Sequence, residues 1–558
     1  MKTLQSHPLR GPTLFLTAFL ATTCSHPNPP TTAVAVIDSA ATNVDAAGAA
    51  VDAEPPQLTS PALRGWKFSR NVVHIHSSYS HDACDNWIDD HPGDVSATCL
   101  QDLRTALCES GLDVAFMTDH PSHMKDFGFK DLLQIKENQG DTAVGPAGQP
   151  HANVVHCPKS DKLPAHDVVR TVGYEGTHNM AIGIHNHFAD SKSEGLSFAD
   201  EGSKLPEVQA SVAQIHLNKG LSCNAHSEED DITVQRMVDS GLDCMEVYNT
   251  HANFKTIVGM STKGAKMNFA RIFLLDRLLG PAAQSPDPDL ALLIMLDIQP
   301  EAAFTKWQAV QAQRWVTGVI GSDVHQNVVL EPYCAKGGQL EGFCDALVDK
   351  YPHLVKLLLS GGPVMLADGR RLDDYLRLLR WVSNRTLVTP NKPSTELAEL
   401  TKDGIKAGRS WVVYDVLGDP QDLDFAAYDQ KTSKWVEMGG QVSLGSTLHL
   451  RVPDVQPMPW AHWTAKHADD PLNLPVVSVI VWQITAGKPV ATKLATLAAA
   501  PGTVLKVTPD QPGKYHLEVR IVPKHLRSLM KGLRDGEPGP ELVDLEQRWA
   551  VGNPIEVK

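Results

Sequence analysis

The chain has 558 residues, several times the usual domain size of roughly 100 to 200 residues, so two or more domains are expected. With 42% apolar and 21% charged residues, its composition is that of an ordinary globular protein. The formal net charge of -15 argues against nucleic acid as a stable partner, because a polyanion would be repelled. No run of the sequence reaches the roughly 18 apolar residues that a membrane-spanning helix needs.

The amino terminus has the features of an export signal. Lys2 and Arg10 precede an apolar stretch over 13–23, and Cys24 follows at once, so that residues 1–24 resemble a bacterial lipoprotein signal. This predicts export to the periplasm or cell surface and a lipid anchor on Cys24, which would be the chain's only membrane attachment. The alternative is that the cysteine is removed with the signal. Residues 25–62 lack any periodicity and predict a disordered linker.

Eight further cysteines are an even number, as a disulfide framework requires in an exported chain. We expect Cys84–Cys99 and Cys334–Cys344 to be disulfides, because each pair lies in loop-like sequence. Buried free thiols are expected at three cysteines in strands or helices: Cys108, Cys223 and Cys244.

One pattern recurs between about 70 and 330: a helix, a glycine, a buried strand and then a residue able to bind metal. In its first copy Gly111 separates leucines at helical spacing from an apolar strand over 113–118. Similar segments lead to His226, Glu246 and Asp323. Alternating helices and strands predict an α/β fold with parallel strands, either a sheet or a barrel. In a barrel, the carboxyl ends of the strands form the catalytic edge.

Candidate metal ligands lie at or just beyond these strands. His74 and His76 are two residues apart in a strand, so their imidazoles should share a face and could chelate one ion. The other candidates are also histidines and carboxylates near strand ends: His81, Asp82, His120, Glu175, His178, His226, Asp323 and His325.

This arrangement resembles the polymerase and histidinol phosphatase (PHP) superfamily over about 72–326. The similarity rests on motifs in the family's order: His74-Ile-His-Ser-Ser-Tyr-Ser80, Phe116-Met-Thr-Asp-His120, Gly173-Tyr-Glu175 with His178, Asn224-Ala-His226, Met245-Glu-Val-Tyr-Asn249 and Gly321-Ser-Asp-Val-His325. The resemblance implies a distorted TIM-like barrel of seven strands, (βα)7. It also implies two or three divalent ions, commonly zinc, manganese or iron.

Carried over by position, the resemblance assigns ligands to each ion. The first ion would be surrounded by four residues: His74, His76, Glu175 and Asp323. The second would be bound by His120, His325 and the residue after Ser80, and the third by His178 and His226 with Glu175 bridging. The first motif departs from the family pattern, so the ligand after Ser80 is His81 by alignment or Asp82 by residue type. We favour His81, because imidazole suits such ions.

Neighbouring residues have supporting roles in this interpretation. Asp119 is expected to bond a ligand or to cap a strand end rather than to bind an ion, and Glu246 is expected to orient a ligand or simply to end a strand. Residues 126–168 are rich in Gly, Pro and Asn and connect two motifs, so they predict a long loop that could act as a lid. Three histidines of this segment are expected to be solvated: His151, His156 and His166. Three others lie close enough to the motifs to contact substrate: His123, His185 and His187.

The expected chemistry is metal-assisted hydrolysis of a small-molecule ester. Two or three ions about 3.5 to 4 Å apart lower the pKa of a bridging water towards 7, so that a bridging hydroxide could attack a phosphoester. The sequence contains no nucleophile elbow, phosphate-cradling loop or dinucleotide fingerprint. On this hypothesis, loss of His76 or Asp323 abolishes activity by emptying the metal site.

The downstream chain predicts two amphipathic helices, over 373–384 and 395–406, and then a small β-sandwich over 410–558. A barrel over 63–409 followed by Ala407-Gly-Arg409 and a β module is similar to the carbaryl-hydrolase-like branch of the PHP superfamily. That similarity keeps carbamate or carboxylic ester hydrolysis as an alternative. An inactive cell-envelope binding protein is the other alternative, disfavoured because the expected ligand positions hold ligand-type residues. A metal-storage protein would carry exposed His-rich tracts, which the sequence lacks.

Overall fold

The computed structural model describes most of the chain from Pro56 onward. The described residues are 56–85, 87, 91, 93–176, 179–187, 205–229, 232–257, 269–295, 301–330, 332–337, 341–463, 474–488, 490–530 and 543–558. The predicted signal over 1–24, nearly all of the predicted linker and His178 lie outside them. The last linker residues are part of the compact unit that extends from Pro55 to Lys558, and Leu58 is buried there.

The strands of the described chain run from Lys67 to the carboxyl terminus. The first nine include all those that form the barrel: β1 (Lys67–Ile75), β2 (Val114–Met117), β3 (Thr142–Val144), β4 (Ala152–Cys157), β5 (His166–Glu175), β6 (Met180–Ile184), β7 (Leu221–Asn224), β8 (Cys244–Asn249) and β9 (Thr317–Val324). The others follow in order: β10 (Val329–Leu330), β11 (Gly362–Pro363), β12 (Ser383–Val388), β13 (Ser410–Val413), β14 (Asp419–Gln421), β15 (Asp424–Asp429), β16 (Lys434–Glu437), β17 (Gln441–Val442), β18 (Thr447–Arg451), β19 (Asp454–Gln456), β20 (Val476–Ile484), β21 (Thr492–Ala498), β22 (Val504–Val507), β23 (Gly513–Val522), β24 (Gln547–Gly552) and β25 (Ile555–Val557).

The α-helices of the described residues all precede β13. They are α1 (Ala97–Glu109), α2 (Pro121–Met124), α3 (Phe129–Leu132), α4 (Leu205–Leu217), α5 (Val234–Ser240), α6 (Thr250–Ile257), α7 (Phe269–Leu279), α8 (Pro288–Met295), α9 (Glu301–Gln311), α10 (Glu341–Leu347), α11 (Pro352–Ser360), α12 (Tyr375–Trp381) and α13 (Ser394–Lys406). None of these helices is long and apolar enough to cross a membrane.

The fold is mixed α/β, and seven strands close a barrel. Their order is β1, β2, β5, β6, β7, β8 and β9, and β9 pairs again with β1. Six of the strands are parallel, whereas β6 is antiparallel to both β5 and β7. A regular (βα)7 alternation is therefore not observed. Only four residues separate Glu175 from Met180, and a parallel connection needs a dozen or more residues.

The helix, glycine and strand pattern is present as predicted around β2. The side chain of Ser96 accepts a hydrogen bond from the amide of Cys99 and caps α1, which buries Leu103 and Leu107. Gly111 then adopts a left-handed φ of 68° before the chain enters β2, all four residues of which are buried. This local order directs the carboxyl end of β2 to the same barrel edge as β1.

The prediction of a long lid-like loop over 126–168 is wrong. The segment contains α3, β3 and β4, and β4 pairs antiparallel with β5 from Ala152 to Cys157. Five of the six residues of β4 are buried, Val154 among them, so β4 is part of the packed core and not a mobile loop. Two histidines of the segment, His151 and His166, are half-buried rather than fully solvated, and only His156 is exposed.

The carboxyl-terminal part is rich in strands, as predicted. β12 pairs with the first five residues of β1, 67–71. It begins a sheet that continues through β13, β24, β23, β20 and β21. A separate sheet has the order β16, β15, β18 and β22. The predicted helix over 373–384 ends at Trp381, because Ser383 and Asn384 already pair with β13. The second predicted helix is α13, within one residue at its start.

Four disulfides cross-link the described chain. The two predicted pairs are present as Cys84–Cys99 and Cys334–Cys344. The prediction of free thiols is wrong for three cysteines, because the other bridges are Cys108–Cys157 and Cys223–Cys244. Cys223 and Cys244 are register partners on the neighbouring parallel strands β7 and β8, which places their side chains side by side.

Candidate metal centre

The candidate ligands meet at the edge of the barrel where the six parallel strands end. His74 lies near the end of β1, Glu175 ends β5, and Asp323 lies near the end of β9. His120 and His226 follow β2 and β7 by a few residues. The carboxyl ends of parallel strands are therefore what brings these distant parts of the sequence together.

Glu175 is the central residue of the cluster. Its Oε2 lies 3.1 Å from His74 Nε2, 3.3 Å from His76 Nε2 and 3.4 Å from His120 Nε2. Its Oε1 lies 3.0 Å from His226 Nε2. One buried carboxylate thus faces four imidazole nitrogens from three different strand ends and from the loop after β1.

Asp323 is the second carboxylate of the cluster and lies close to three of the four nitrogens that face Glu175. Its Oδ1 is 3.3 Å from both His74 Nε2 and His76 Nε2, and its Oδ2 is 3.6 Å from His226 Nε2. His325 Nε2 is farther out, at 3.8 Å from Asp323 Oδ1. The two carboxylates form a compact group with His74 and His76, and all four side chains are buried.

Asp82 extends the cluster towards solvent. Its Oδ2 lies 3.0 Å from His120 Nε2, and its Oδ1 accepts a hydrogen bond of 2.7 Å from the Ser80 hydroxyl. The ring of His81 packs against that of His120 with centroids 4.7 Å apart. His81 and Asp82 are therefore both close enough to His120 to share an ion with it.

Glu246 supports two of the ligands from outside the cluster. Its Oε1 lies 2.7 Å from His74 Nδ1, and its Oε2 accepts a hydrogen bond of 2.9 Å from the His226 amide. A Cβ on residue 321 would lie 1.8 Å from Glu246 Oε1, so this approach requires the glycine found there. With Nδ1 engaged in this way, His74 directs Nε2 at the centre.

Asp119 does not contact the central nitrogens. Its carboxylate accepts hydrogen bonds from the amide and hydroxyl of Ser77, the latter at 2.8 Å, and so fixes the turn after His76. Burial raises the pKa of Asp119, although these hydrogen bonds act in the opposite direction.

Three of the clustered residues have strained backbones. His74, His226 and Asp323 adopt positive φ angles of 63°, 51° and 52°, a region that residues other than glycine seldom occupy. At His74 the register of β1 shifts against both neighbouring strands. Strain of this kind persists where the surrounding structure requires it, and it is typical of functional sites.

The charges of the cluster favour a bound cation. Burial alone would lower the pKa of His74, but Glu175 and Asp323 raise it to about 10. Burial would likewise raise the pKa of Glu175 and of Asp323, but the histidines hold both pKa values well below the usual range. Carboxylates that stabilise positive charge on these rings would stabilise a divalent ion in the same way.

The donor atoms also fit a metal. Nε2 of His74 and Nε2 of His76 are buried, and although carboxylate oxygens lie 3.1 to 3.3 Å away, neither nitrogen makes a well-aligned hydrogen bond among the described residues. A buried ring nitrogen that makes no such bond is costly unless it binds something else. Imidazole nitrogens and carboxylate oxygens are ligands of zinc, manganese and iron.

Four overlapping groups of side chains could hold ions. They are His74, Glu175, His226 and Asp323; His76, His120 and Glu175; His81, Asp82 and His120; and His226, Glu228 and Glu229. The expected grouping placed His76 with His74, and His226 with His178, whereas here His76 is grouped with His120, and His226 with His74. His325 is beside these groups rather than within one.

Five residues of the site were not identified from the sequence, and one of them, Glu229, is grouped with His226 and Glu228. Glu228 lies 3.2 Å from His226 Nδ1, Asn327 lies 2.6 Å from His325 Nδ1, and Asn249 bonds Glu246. The ring of His251 packs against that of His325, with centroids 4.0 Å apart. Glu228 and Asn327 each lie two residues after a predicted ligand, and His251 lies two residues after the end of a quoted motif. This closeness in sequence is the signal that could have indicated them.

The predicted contacts of other histidines with substrate are not all supported by their positions. His123 stacks on His81 with ring centroids 5.2 Å apart, close to the third group. His185 instead stacks on His151, and His187 lies 2.9 Å from the carbonyl oxygen of Phe127.

Comparison with known proteins gives no further identification, because no protein-family model, curated protein or solved structure matches this chain.

Proposed function

We propose that the protein is a metal-dependent hydrolase of the PHP type, and that its substrates are phosphoesters. The observation that carries the proposal is the contact of Glu175 with four imidazole nitrogens at the carboxyl edge of the barrel. The PHP resemblance of the motifs agrees with this position, and the antiparallel β6 would be the distortion of a TIM-like barrel. The β-rich part after 410 would be the sandwich-like second domain.

Two or three divalent ions, of zinc, manganese or iron, are proposed as cofactors. The buried group around His74 and Asp323 would hold one, and the groups around His76 and His120 the others. When bound, such ions supply Lewis acidity towards the oxygens of the ester and lower the pKa of water.

The protein's own residues prepare the centre in two ways. Hydrogen-bond partners at Nδ1 of His74, His226 and His325 fix the orientation of those rings and direct Nε2 inward. The side chains of His74 and His76 are fully buried, whereas Asp82 and His120 are about one quarter exposed. Substrate is therefore expected to approach from the side of Asp82 and His120.

Metal content and hydrolysis together test this proposal. The full chain should retain transition metal and hydrolyse phosphoesters, and a chelator should abolish both properties. Asp323→Asn should lower metal content and kcat together, because it removes charge from between the imidazoles. His156→Ala is the matched control, since this exposed histidine lies on β4 and contacts none of the clustered residues.

Each other outcome would change the proposal. Hydrolysis of carbamates or carboxylic esters but not phosphoesters would replace the substrate class and keep the metal centre. Hydrolysis that survives both the chelator and Asp323→Asn would exclude a metal-dependent reaction at this site. Bound metal without hydrolysis of any ester would favour the inactive binding protein.

We further propose that the chain is exported and anchored by a lipid on Cys24. The four disulfides support an oxidising compartment, because such bonds are rare in the cytosol. Labelled fatty acid should be incorporated into the full chain and not into Cys24→Ala. Equal labelling of the two would contradict the anchor.

A further inference from the structure

A second group of ligand-type side chains lies where the start of β4 meets the end of β6. These two strands are both antiparallel to β5, and they pair with consecutive residues of it, Thr171 and Val172. They therefore abut end to end along β5. His151 immediately precedes β4 and His185 immediately follows β6, so the strand ends bring the two histidines together.

This group is separate from the centre around Glu175. The first residue of β6, Met180, pairs with Glu175, whereas His185 follows the last residue of the strand. Five residues of extended strand correspond to a distance of roughly 15 Å. An ion held by His185 would therefore share no ligand with the central cluster.

The three side chains lie close enough together to share one ion. The rings of His151 and His185 stack with centroids 3.9 Å apart and an angle of 12° between their planes. His185 Nε2 lies 2.9 Å from Glu399 Oε1. One ligand atom from each of the three residues lies within 4.8 Å of the other two.

Helix α13 is held tightly over this position. Lys402 donates hydrogen bonds of 2.7 Å to the carbonyl oxygens of Gly183 and Lys219, and its Nζ is 2.9 Å from Glu399 Oε1. A Cβ on residue 183 would lie 2.5 Å from Lys402 Cδ, so the close approach of helix and strand requires glycine. Glu399, one turn before Lys402, is thereby positioned beside His185.

We propose that His151, His185 and Glu399 form a separate metal site for one divalent ion of the zinc class. Two imidazoles and one carboxylate are a ligand set that zinc accepts, with a fourth tetrahedral position for water. The side chains of His185 and Glu399 are 25% and 42% exposed, so water can reach that position. The bound ion would fasten α13 to the junction of β4 and β6.

Zinc binding in a background without the central cluster tests this site, whether or not the protein is a hydrolase. The full chain carrying His74→Ala, His120→Ala and His226→Ala, which leaves no central group with more than two of its ligands, should retain about one zinc equivalent after dialysis. Adding His151→Ala and His185→Ala should reduce zinc to the level of the buffer. In the first of these chains, cobalt should give the visible absorption of a tetrahedral site, and Glu399→Gln should weaken that absorption.

His156→Ala is the matched control, because this histidine lies on the same strand and pairs with Asp167 instead. It should leave the zinc equivalent unchanged. Absence of retained zinc from the chain with His74→Ala, His120→Ala and His226→Ala would overturn the proposal. The same follows if zinc is retained after His151 and His185 are both replaced.

Discussion

Glu246 illustrates how a residue that faces away from the central nitrogens can control the centre. It is fully buried and contacts two candidate ligands at once, the ring of His74 and the backbone amide of His226. His74 lies on β1 and His226 lies just after β7, so one carboxylate couples two strand ends. Residues of this kind are often as important for metal affinity as the ligands themselves.

Glu246→Gln is therefore expected to weaken metal binding by roughly 10- to 100-fold while the chain still folds. The amide keeps the shape of the carboxylate but loses the charge that makes His74 a stronger donor. Competition with a chelator of known affinity measures the effect. Glu396→Gln, on the exposed surface of α13, should leave metal affinity unchanged. Equal affinity of Glu246→Gln and the unaltered chain would remove Glu246 from this role.

At the scale of elements, β7 and β8 form a cross-linked pair beneath the centre. The Cys223–Cys244 disulfide joins register partners, and His226 and Glu246 follow these cysteines by three and two residues. The bridge therefore limits how far the two strand ends can move apart. It is also fully buried, so it is protected from reductants in the folded chain.

Replacement of Cys223 and Cys244 by alanine is expected to destabilise the chain by about 3 kcal/mol, the usual effect for a loop of about 20 residues. It should also lower metal affinity, because His226 and Glu246 lose their fixed spacing. Urea denaturation and chelator competition measure the two effects. Replacement of Cys334 and Cys344, which close a shorter loop away from the centre, should lower stability only. Unchanged metal affinity in the first variant would contradict this role of the bridge.

The elements show which features could be predicted from the sequence. Helix α1, Gly111 and β2 follow from residues within about twenty positions of one another, and the predicted order is the observed one. The direction of β6 does not follow from such local patterns. It depends on the four-residue connection after Glu175. That connection contains a glycine and leads into a hydrophobic run, and neither feature predicts that the chain reverses its direction.

The candidate metal centre, too, could be predicted from the sequence only in part. The residue types and their positions at strand ends indicated where ligands would gather. The grouping did not follow from strand alternation, because His74 has a left-handed φ and breaks the regular register of β1. The meeting of His151 with His185, and the Cys223–Cys244 bridge, depend on which strands become neighbours. That information is non-local, so no pattern in a single segment contained it.

At the scale of the whole molecule, a buried histidine lies where the barrel meets the carboxyl-terminal strands. His516 on β23 packs edge-to-face on Trp307 of α9, and its Nε2 lies 3.0 Å from Gln308 Nε2. Burial lowers the pKa of His516 to about 3. The ring is therefore neutral throughout the range in which the unfolded histidine, with a pKa near 6.5, becomes charged.

His516 should make folding stability depend on pH. Its contribution is fully present above about pH 6.5 and is lost as the pH falls towards 3, because only the unfolded chain then gains the proton. Between about pH 7 and pH 5 this group should remove about 2 kcal/mol from the free energy of unfolding. Urea denaturation should show that much less pH dependence in His516→Gln than in the unaltered chain. Parallel pH profiles for the two chains would contradict this assignment.

The left-handed backbones of His74, His226 and Asp323 place folding stability in conflict with the proposed metal binding. Each such residue costs the folded chain on the order of 1 to 3 kcal/mol, and glycine would largely relieve that cost. A laboratory selection for thermal stability alone would therefore drive these positions towards glycine and erase the centre. Selection for both properties together should instead leave the three strained residues in place and gather its stabilising changes elsewhere in the barrel.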